Sequence, residues 1–219
     1  MDIRNKKINF LGDSITEGHG CADLENNCFA ARIARDYGAV CRNYGIGGTR
    51  IARQAHPSEN PKHDLDFVGR YDDMDPDADI VAVFGGTNDY GHGDAPIGEM
   101  ADRTPDTFYG ALHLLFTGLI TKYPAARIVV LTPLHRSYED NPFGSVRKPV
   151  PTGALIDYVR VIRQVAEYYS LPVLDLYANS GLQPNVPVIR EKYVPDGLHP
   201  NDEGHRILAE QIAAFLMTL

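Results

Sequence analysis

The chain has 219 residues, of which 43% are hydrophobic and 23% charged, which is ordinary globular usage and excludes the disordered and fibrous classes. Its formal net charge of −8 argues against a nucleic-acid or anionic-membrane partner, since either would need clustered Lys and Arg. A chain of this length can bury one substantial core, and we find no repeat, low-complexity or linker-like segment, so a single domain over residues 1–219 is predicted.

The N-terminal stretch contains a short apolar run, Ile8–Leu11, before Gly12. A secretory signal needs a longer apolar region and a small-residue cleavage site, and no stretch approaches the length of a membrane-spanning helix. The cysteines, Cys21, Cys28 and Cys41, are odd in number and lack the CxxC spacing of a zinc or redox site. We expect free thiols in a reducing compartment and therefore a cytoplasmic protein without a membrane partner.

Short apolar runs rich in β-branched residues alternate along the chain with segments of helical periodicity. The runs are Ile8–Leu11, Ala39–Asn43, Asp79–Phe84, Arg127–Thr132 and Pro172–Leu176. Runs that are apolar on both faces are typical of buried strands in a parallel sheet. Helices are predicted over Cys28–Gly38, Thr107–Pro124, Ala154–Ser170 and from about Asp202 to Leu216. This alternation predicts an α/β fold with a parallel sheet covered by helices on both faces.

Small and polar residues follow each predicted strand. The first three strands lead into "GDSIT" (12–16), "NYGIGGTR" (43–50) and "GGTNDYGHG" (85–93), and the last two lead into long loops, Pro133–Gly153 and Tyr177–Pro200. Long ordered loops in compact domains are usually functional. In open α/β sheets, ligands bind beyond the carboxyl ends of the strands. The sequence therefore predicts a functional site at this edge of the sheet.

Ser14, in the first of these stretches, has three interpretations: a helix N-cap, a phosphate ligand or a nucleophile. Capping is the commonest role of a serine at a strand-to-helix turn. Neither "GDSITEGHG" (12–20) nor "GIGGTR" (45–50) has the spacing of a phosphate-binding loop, and the GxSxG nucleophile elbow is absent. Nucleotide binding is therefore disfavoured, and the choice between cap and nucleophile depends on finding a base.

A serine nucleophile needs a base to accept its proton and a third group to hold that base. Three histidines follow an aspartate by three residues, in the pairs Asp89/His92, Asp196/His199 and Asp202/His205. We expect His205 within the first turn of the last helix and His92 in a mobile turn. His199 lies between Gly197 and Pro200, in a non-helical turn at the sheet edge. We therefore favour the second pair.

Acyl transfer also needs hydrogen-bond donors directed at the developing oxyanion. Glycine lets a backbone N–H approach a ligand closely, and an asparagine amide supplies another donor. Gly48 and Asn88, which follow the second and third strands, are the candidates. Each has an alternative explanation, turn geometry for Gly48 and an Asx-turn for Asn88. The convergence of all these residues on one sheet edge favours a catalytic site.

Four blocks in order, "GDSIT", "NYGIGGT", "GGTND" and "DGLHP", span Gly12–Pro200 and resemble the motifs of the SGNH hydrolases, also called the GDSL esterase/lipase family. The resemblance implies a flavodoxin-like three-layer α/β/α fold with a five-stranded parallel sheet. It also implies that Ser14 is the nucleophile, that His199 is its base and that Asp196 orients His199.

In the same family pattern, the backbone N–H groups of Ser14 and Gly48 and the side chain of Asn88 form the oxyanion hole. The neighbouring Gly47 leaves the identity of the oxyanion glycine open by one residue.

The implied activity is hydrolysis of carboxylic esters through an acyl-enzyme, with no metal or organic cofactor. Acyl transfer or thioester cleavage would use the same residues, and a non-catalytic flavodoxin-like binding module is a less favoured alternative. The chain has no tryptophan and thus no sign of the extended stacking platforms common in polysaccharide binding. No long apolar lid helix is apparent, which favours short acyl groups over long-chain lipids, and we expect a short-chain acyl or acetyl ester of a carbohydrate or small metabolite. The loop over residues 135–152 is expected to shape the pocket or to contact a neighbouring subunit.

Overall fold

In the computed structural model, which describes residues 1–146 and 148–219, five parallel strands form one sheet in the order β2-β1-β3-β4-β5. The strands are β1 (Lys7–Gly12), β2 (Val40–Gly45), β3 (Ile80–Phe84), β4 (Arg127–Leu131) and β5 (Val173–Leu174). This is the flavodoxin-like order, in which the chain reverses direction across the sheet between β1 and β3. Each predicted run overlaps one strand, so the predicted sheet is confirmed.

Helices connect the strands and cover the sheet. They are α1 (Ser14–Glu17), α2 (Leu24–Asn27), α3 (Phe29–Tyr37), α4 (Phe67–Arg70), α5 (Thr87–His92), α6 (Phe108–Lys122), α7 (Leu155–Tyr168), α8 (Leu176–Asn179), α9 (Pro187–Tyr193) and α10 (Asp202–Thr218). Short 3-10 turns lie at Pro61–Asp64 and Tyr71–Asp73. The four predicted helices correspond to α3, α6, α7 and α10. Within the described residues, no helix has the length and apolar character needed to cross a membrane.

The core lies in two layers, one on each face of the sheet. Successive strand residues point to opposite faces, so Phe10 belongs to the layer beneath α3 and α10. Leu11 belongs to the layer beneath α6 and α7. The helix pairs α3–α10 and α6–α7 pack together on their own sides. The result is the expected three-layer α/β/α arrangement, and Cys21, Cys28 and Cys41 are free thiols within it.

The two outer strands depart from the sequence prediction that every strand is buried on both faces. β1 and β3 are buried almost throughout, but every residue of β2 is exposed or half-buried. Val40 at its start is 46% exposed. The two residues of β5 are also half-buried. Each of these strands has a sheet neighbour on one side only, so the helical layers cover it incompletely.

Candidate active site

Ser14 is placed by the sharp turn at which β1 becomes α1. It is the first residue of α1, and the preceding Asp13 is the N-cap, accepting a hydrogen bond from the Ile15 N–H at 3.0 Å. The capping interpretation of Ser14 is therefore wrong, because the aspartate performs that role. Burial raises the pKa of Asp13 to about 6, although the Ile15 bond and nearby His199 oppose this shift. The Ser14 hydroxyl is left available to a partner outside the helix.

That partner is His199, which follows Gly197 in a non-helical turn before α10. Ser14 Oγ lies 3.0 Å from His199 Nε2, and His199 Nδ1 lies 2.7 Å from Asp196 Oδ2. The other carboxylate oxygen of Asp196 accepts bonds from the backbone N–H groups of Leu198 and His199. A proton on Nδ1, donated to Asp196, leaves the lone pair of Nε2 facing the serine.

Asp196 is suited to remain ionised in this arrangement. Burial disfavours its charge, but the hydrogen bonds from the His199 side chain and from two backbone N–H groups outweigh that effect and lower its pKa. An ionised carboxylate holds the imidazole in one tautomer and stabilises it when it becomes positively charged. The structure thus brings Ser14, His199 and Asp196 together as the sequence predicts.

The pair Asp89/His92 has a different arrangement. Asp89 accepts bonds from the N–H groups of Ile51 and Ala52 at 3.0 and 2.9 Å, and burial raises its pKa to about 6. His92 is the last residue of α5, so its placement in a mobile turn is wrong. The Nδ1 atom of His92 lies 3.1 Å from Nη1 of Arg50. Burial, as the largest cause, and the positive charge of Arg50, as the next, lower the pKa of His92 to about 4. His92 therefore lacks the carboxylate partner of a catalytic base.

The pair Asp202/His205 is structural. Asp202 begins α10 and accepts a bond from the Ala22 N–H at 3.1 Å. His205 lies one turn further along α10 and is fully buried, and its Nδ1 accepts a hydrogen bond from the Phe29 N–H at 3.2 Å. Burial lowers the pKa of His205 to about 4. The expected position of His205 in the helix is confirmed, and of the three pairs only Asp196/His199 faces the serine.

The predicted oxyanion donors lie beside Ser14. Gly48 adopts a φ of +76°, and within the described residues the backbone N–H groups of Ser14 and Gly48 have no acceptor. Asn88 is in the first turn of α5, where its Nδ2 donates to the Thr49 carbonyl at 3.0 Å. This bond fixes the amide against the loop that contains Gly48. Gly47 also lines the cleft, next to Ser14.

These groups open into a cleft of about 620 Å³. Its lining consists of Ser14, Glu17, His19, Ile46, Gly47, Gly48, Asn60, Lys62, His63, Leu65, Asn88, His92, Arg136, Ser145, Leu198 and His199. Sequence reasoning missed the segment Asn60–His63, which has no periodicity and no recognisable motif. It also missed Arg136 as an individual residue, although the loop after β4 was expected to shape the pocket.

The chain belongs to the GDSL-like lipase/acylhydrolase family, whose model matches residues 10–207, and this membership identifies it as an ester-bond hydrolase. It is 26% identical over 230 residues to a GDSL lipase of Mycobacterium tuberculosis, covering 99% of this chain and 84% of that protein.

Solved structures resemble the chain over nearly its full length. A protein from Lactobacillus plantarum shares 34% identity and superposes with a TM-score of 0.83, covering 98% of each chain. The lipase/acylhydrolase from Enterococcus faecalis shares 20% identity and a TM-score of 0.64, covering 97% of this chain and 96% of that one. At this identity, the similarity to the Enterococcus faecalis structure shows a shared fold and nothing more.

Proposed function

We propose that this protein is a serine esterase that hydrolyses short-chain acyl or acetyl esters of a carbohydrate or small metabolite through an acyl-enzyme on Ser14. The observation that carries the proposal is the continuous chain from Ser14 through His199 to Asp196, with contacts of 3.0 and 2.7 Å. A serine held in hydrogen-bond contact with an imidazole, itself oriented by a carboxylate, is an activated nucleophile.

In the first half of the reaction, Ser14 Oγ attacks the ester carbonyl carbon while His199 Nε2 takes the serine proton. The C–O bond to the alcohol then breaks, and His199 returns that proton to the alcohol oxygen. In the second half, water attacks the acyl-enzyme with His199 again as the base, and the carboxylic acid leaves as Ser14 regains its proton. Asp196 stays ionised throughout and stabilises the imidazolium.

The negative charge that forms on the carbonyl oxygen is assigned to three donors: the N–H groups of Ser14 and Gly48 and the side-chain amide of Asn88. One amide hydrogen of Asn88 is used by Thr49, which leaves the other for the oxyanion. Backbone donors held by a fixed turn need no rearrangement during the reaction. Loss of one such donor typically reduces turnover by about 10²–10³.

The preference for short acyl groups and polar alcohols is supported by the lining of the cleft. Among the described lining residues the large apolar side chains are Ile46, Leu65 and Leu198, and the others are mainly polar, charged or glycine. A long acyl chain gains roughly 25 cal/mol for each Å² of apolar surface that it buries, and three large apolar side chains offer it few contacts. Acyl transfer or thioester cleavage would use the same groups, whereas membership of a hydrolase family disfavours a non-catalytic binding module.

The proposal is tested with para-nitrophenyl esters from acetate to long chains, using the wild-type protein and Ser14→Ala. We expect the highest kcat/KM with acetate or other short acyl groups and no enzymatic turnover in the variant. Turnover by Ser14→Ala close to that of the wild type would overturn the assignment of the nucleophile. A preference for long chains would overturn the substrate class.

A further inference from the structure

Arg136 is a buried cation at the cleft with few partners of its own. Its side chain follows β4 and the residue is 6% exposed. Nη1 donates to the carbonyl and hydroxyl oxygens of Thr87 at 2.9 and 3.0 Å, whereas Nε has no hydrogen-bond partner among the described residues. Among the described residues, no carboxylate pairs with the guanidinium within 4.0 Å, and Asp13, Asp196 and Glu139 favour its charge only from farther away. A buried charge without a direct ion pair is costly.

The other buried arginines, Arg50 and Arg70, have more acceptors for their hydrogen-bond donors. Arg50 also has an unpartnered Nε, but its Nη2 pairs with the Asp64 carboxylate at 2.7 Å. Arg70 donates to three backbone carbonyls and to a threonine hydroxyl. Arg136 is about as buried as Arg50 and Arg70, but among the described residues its side chain donates hydrogen bonds to one residue, Thr87. Unlike Arg70, it lines the cleft. Its missing acceptor is therefore expected to come from the cleft's contents.

Tyr90 and Gly91 of α5 make room for the Arg136 guanidinium but carry no negative charge to pair with it. The Tyr90 ring lies 5.5 Å from the guanidinium carbon of Arg136, a distance at which an aromatic face gives partial stabilisation. A side chain at Gly91 would come within 2.8 Å of Arg136 Nη1. The glycine thus leaves the space that the guanidinium occupies.

The order of the strands separates the two charged ends of the cleft. Among the described residues that line the cleft, Glu17 carries the carboxylate. Glu17 lies beside Gly47, which follows the edge strand β2. Arg136 follows β4 and contacts Thr87, which follows β3. Ser14 follows β1, between these two sides. A substrate bound at the serine can therefore extend toward the acidic side or toward the cationic side.

We propose that Arg136 determines substrate specificity by binding an anionic group, a carboxylate or a phosphate, carried by the ester on the β4 side of Ser14. This inference rests on the proposed esterase function and narrows its substrate class. A guanidinium presents its donors in a planar fork that matches the oxygens of both anions. The anion would supply the direct ion pair that the guanidinium lacks.

Two pairs of probes test the proposal, and each pair differs in one charge. In the first pair, para-acetoxybenzoate and its methyl ester differ in the alcohol part. In the second pair, the mono-para-nitrophenyl ester of adipic acid and para-nitrophenyl hexanoate differ in the acyl part. Charge-assisted hydrogen bonds contribute enough that Arg136→Gln should lower kcat/KM roughly 10- to 100-fold more for the charged member of one pair than for its neutral partner. The pair that responds identifies the part of the ester that carries the anion.

Lys148→Met is the matched control, because it removes another buried cation from the same loop. Lys148 Nζ donates to the Asp89 carbonyl and to Thr152 Oγ1, both at 2.8 Å, and Lys148 does not line the cleft. We expect it to affect charged and neutral probes equally. Arg136→Lys should retain part of the preference. Equal loss on both members of both pairs in Arg136→Gln would mean that Arg136 only supports α5, and would overturn the proposal.

A binding measurement separates this inference from the proposed catalytic mechanism. We expect the Ser14→Ala protein to bind the charged member of the responding pair in calorimetry, and the added Arg136→Gln substitution to weaken that binding at least about tenfold. If Ser14→Ala still turns over esters, the nucleophile is wrong, but charged and neutral probes still report on Arg136. Equal affinity with and without Arg136→Gln would refute the anion site itself.

Discussion

Replacing Gly48 with alanine is expected to remove most of the esterase activity while leaving the fold in place. Gly48 has a φ of +76°, in the left-handed region where an L side chain costs roughly 1–2 kcal/mol. Alanine also restricts the unfolded chain, which offsets about 0.4–1 kcal/mol of that cost. The backbone contributions therefore lower the free energy of unfolding by about 1 kcal/mol, which corresponds to a fall of roughly 2–4 °C in the thermal midpoint of a chain of this size, and displacement of the His63 ring adds to that loss.

The effect on activity should be much larger than the effect on stability. A Cβ at Gly48 would overlap the His63 imidazole, whose Cγ would lie 2.8 Å away, so the ring or the loop must move. Movement of the loop takes the Gly48 N–H away from the oxyanion, and losing one such donor costs about 10²–10³ in kcat. The measurements are kcat for para-nitrophenyl acetate and thermal unfolding of the same samples.

Gly47→Ala is the control for this prediction. Its added Cβ would lie 2.8 Å from Glu17 Oε2, the mobile end of a long side chain, and Gly47 is not among the positive-φ residues. We expect kcat within about threefold of the wild type. The double variant Gly48→Ala/His63→Ala removes the overlap but keeps the backbone strain. Full activity in Gly48→Ala together with an inactive Gly47→Ala would refute the choice of oxyanion glycine.

Other variants test the remaining site assignments. His199→Ala should lower kcat for para-nitrophenyl acetate roughly 10²–10⁴-fold, whereas His92→Ala should retain most of it; the reverse result would move the base to the other pair. His205→Ala should lower the free energy of urea unfolding by about 1–3 kcal/mol, because a buried backbone N–H loses its acceptor, and unchanged stability would contradict that structural role. Asn88→Ala should reduce kcat by about 10²–10³ with little change in KM, and a change confined to KM would exclude an oxyanion role. Burial raises the pKa of Asp13 to about 6 in the folded protein. Between pH 7 and pH 5 the folded protein therefore binds a proton at Asp13 while the carboxyl of the unfolded chain is still ionised. The contribution of Asp13 to the free energy of unfolding consequently rises as the pH falls. Relative to Asp13→Asn, the wild type should gain about 1 kcal/mol of unfolding free energy over that interval, and parallel pH curves would contradict the shift.

Much of the fold could be predicted because the strands are short, apolar and widely spaced. The end of α3 was signalled by Gly38, which takes a left-handed conformation, and the end of α6 by Pro124. The short helices α8 and α9 within the predicted loop Tyr177–Pro200 were missed, since four to seven residues are too few for an amphipathic repeat. The exposure of β2 was also missed, because strand order does not follow from local sequence.

The residues of the site could be predicted, and sequence context favoured the pair Asp196/His199, but spacing alone did not select it. Identical spacing in the pairs Asp89/His92, Asp196/His199 and Asp202/His205 gave three equivalent candidates. Their different roles depend on contacts from distant segments, such as Arg50 beside His92 and the Phe29 N–H beside His205. The extent of the single domain and a cytoplasmic location stay predictions from the sequence.

The location of a covalent adduct tests the central claim most directly. The protein would be treated with a fluorophosphonate, digested and analysed by mass spectrometry, with Ser14→Ala and His199→Ala treated alongside. We predict one adduct per chain, on the peptide that contains Ser14, with none in Ser14→Ala and slow labelling in His199→Ala. An adduct on another residue, or an unlabelled wild-type protein that still hydrolyses para-nitrophenyl acetate, would contradict the account.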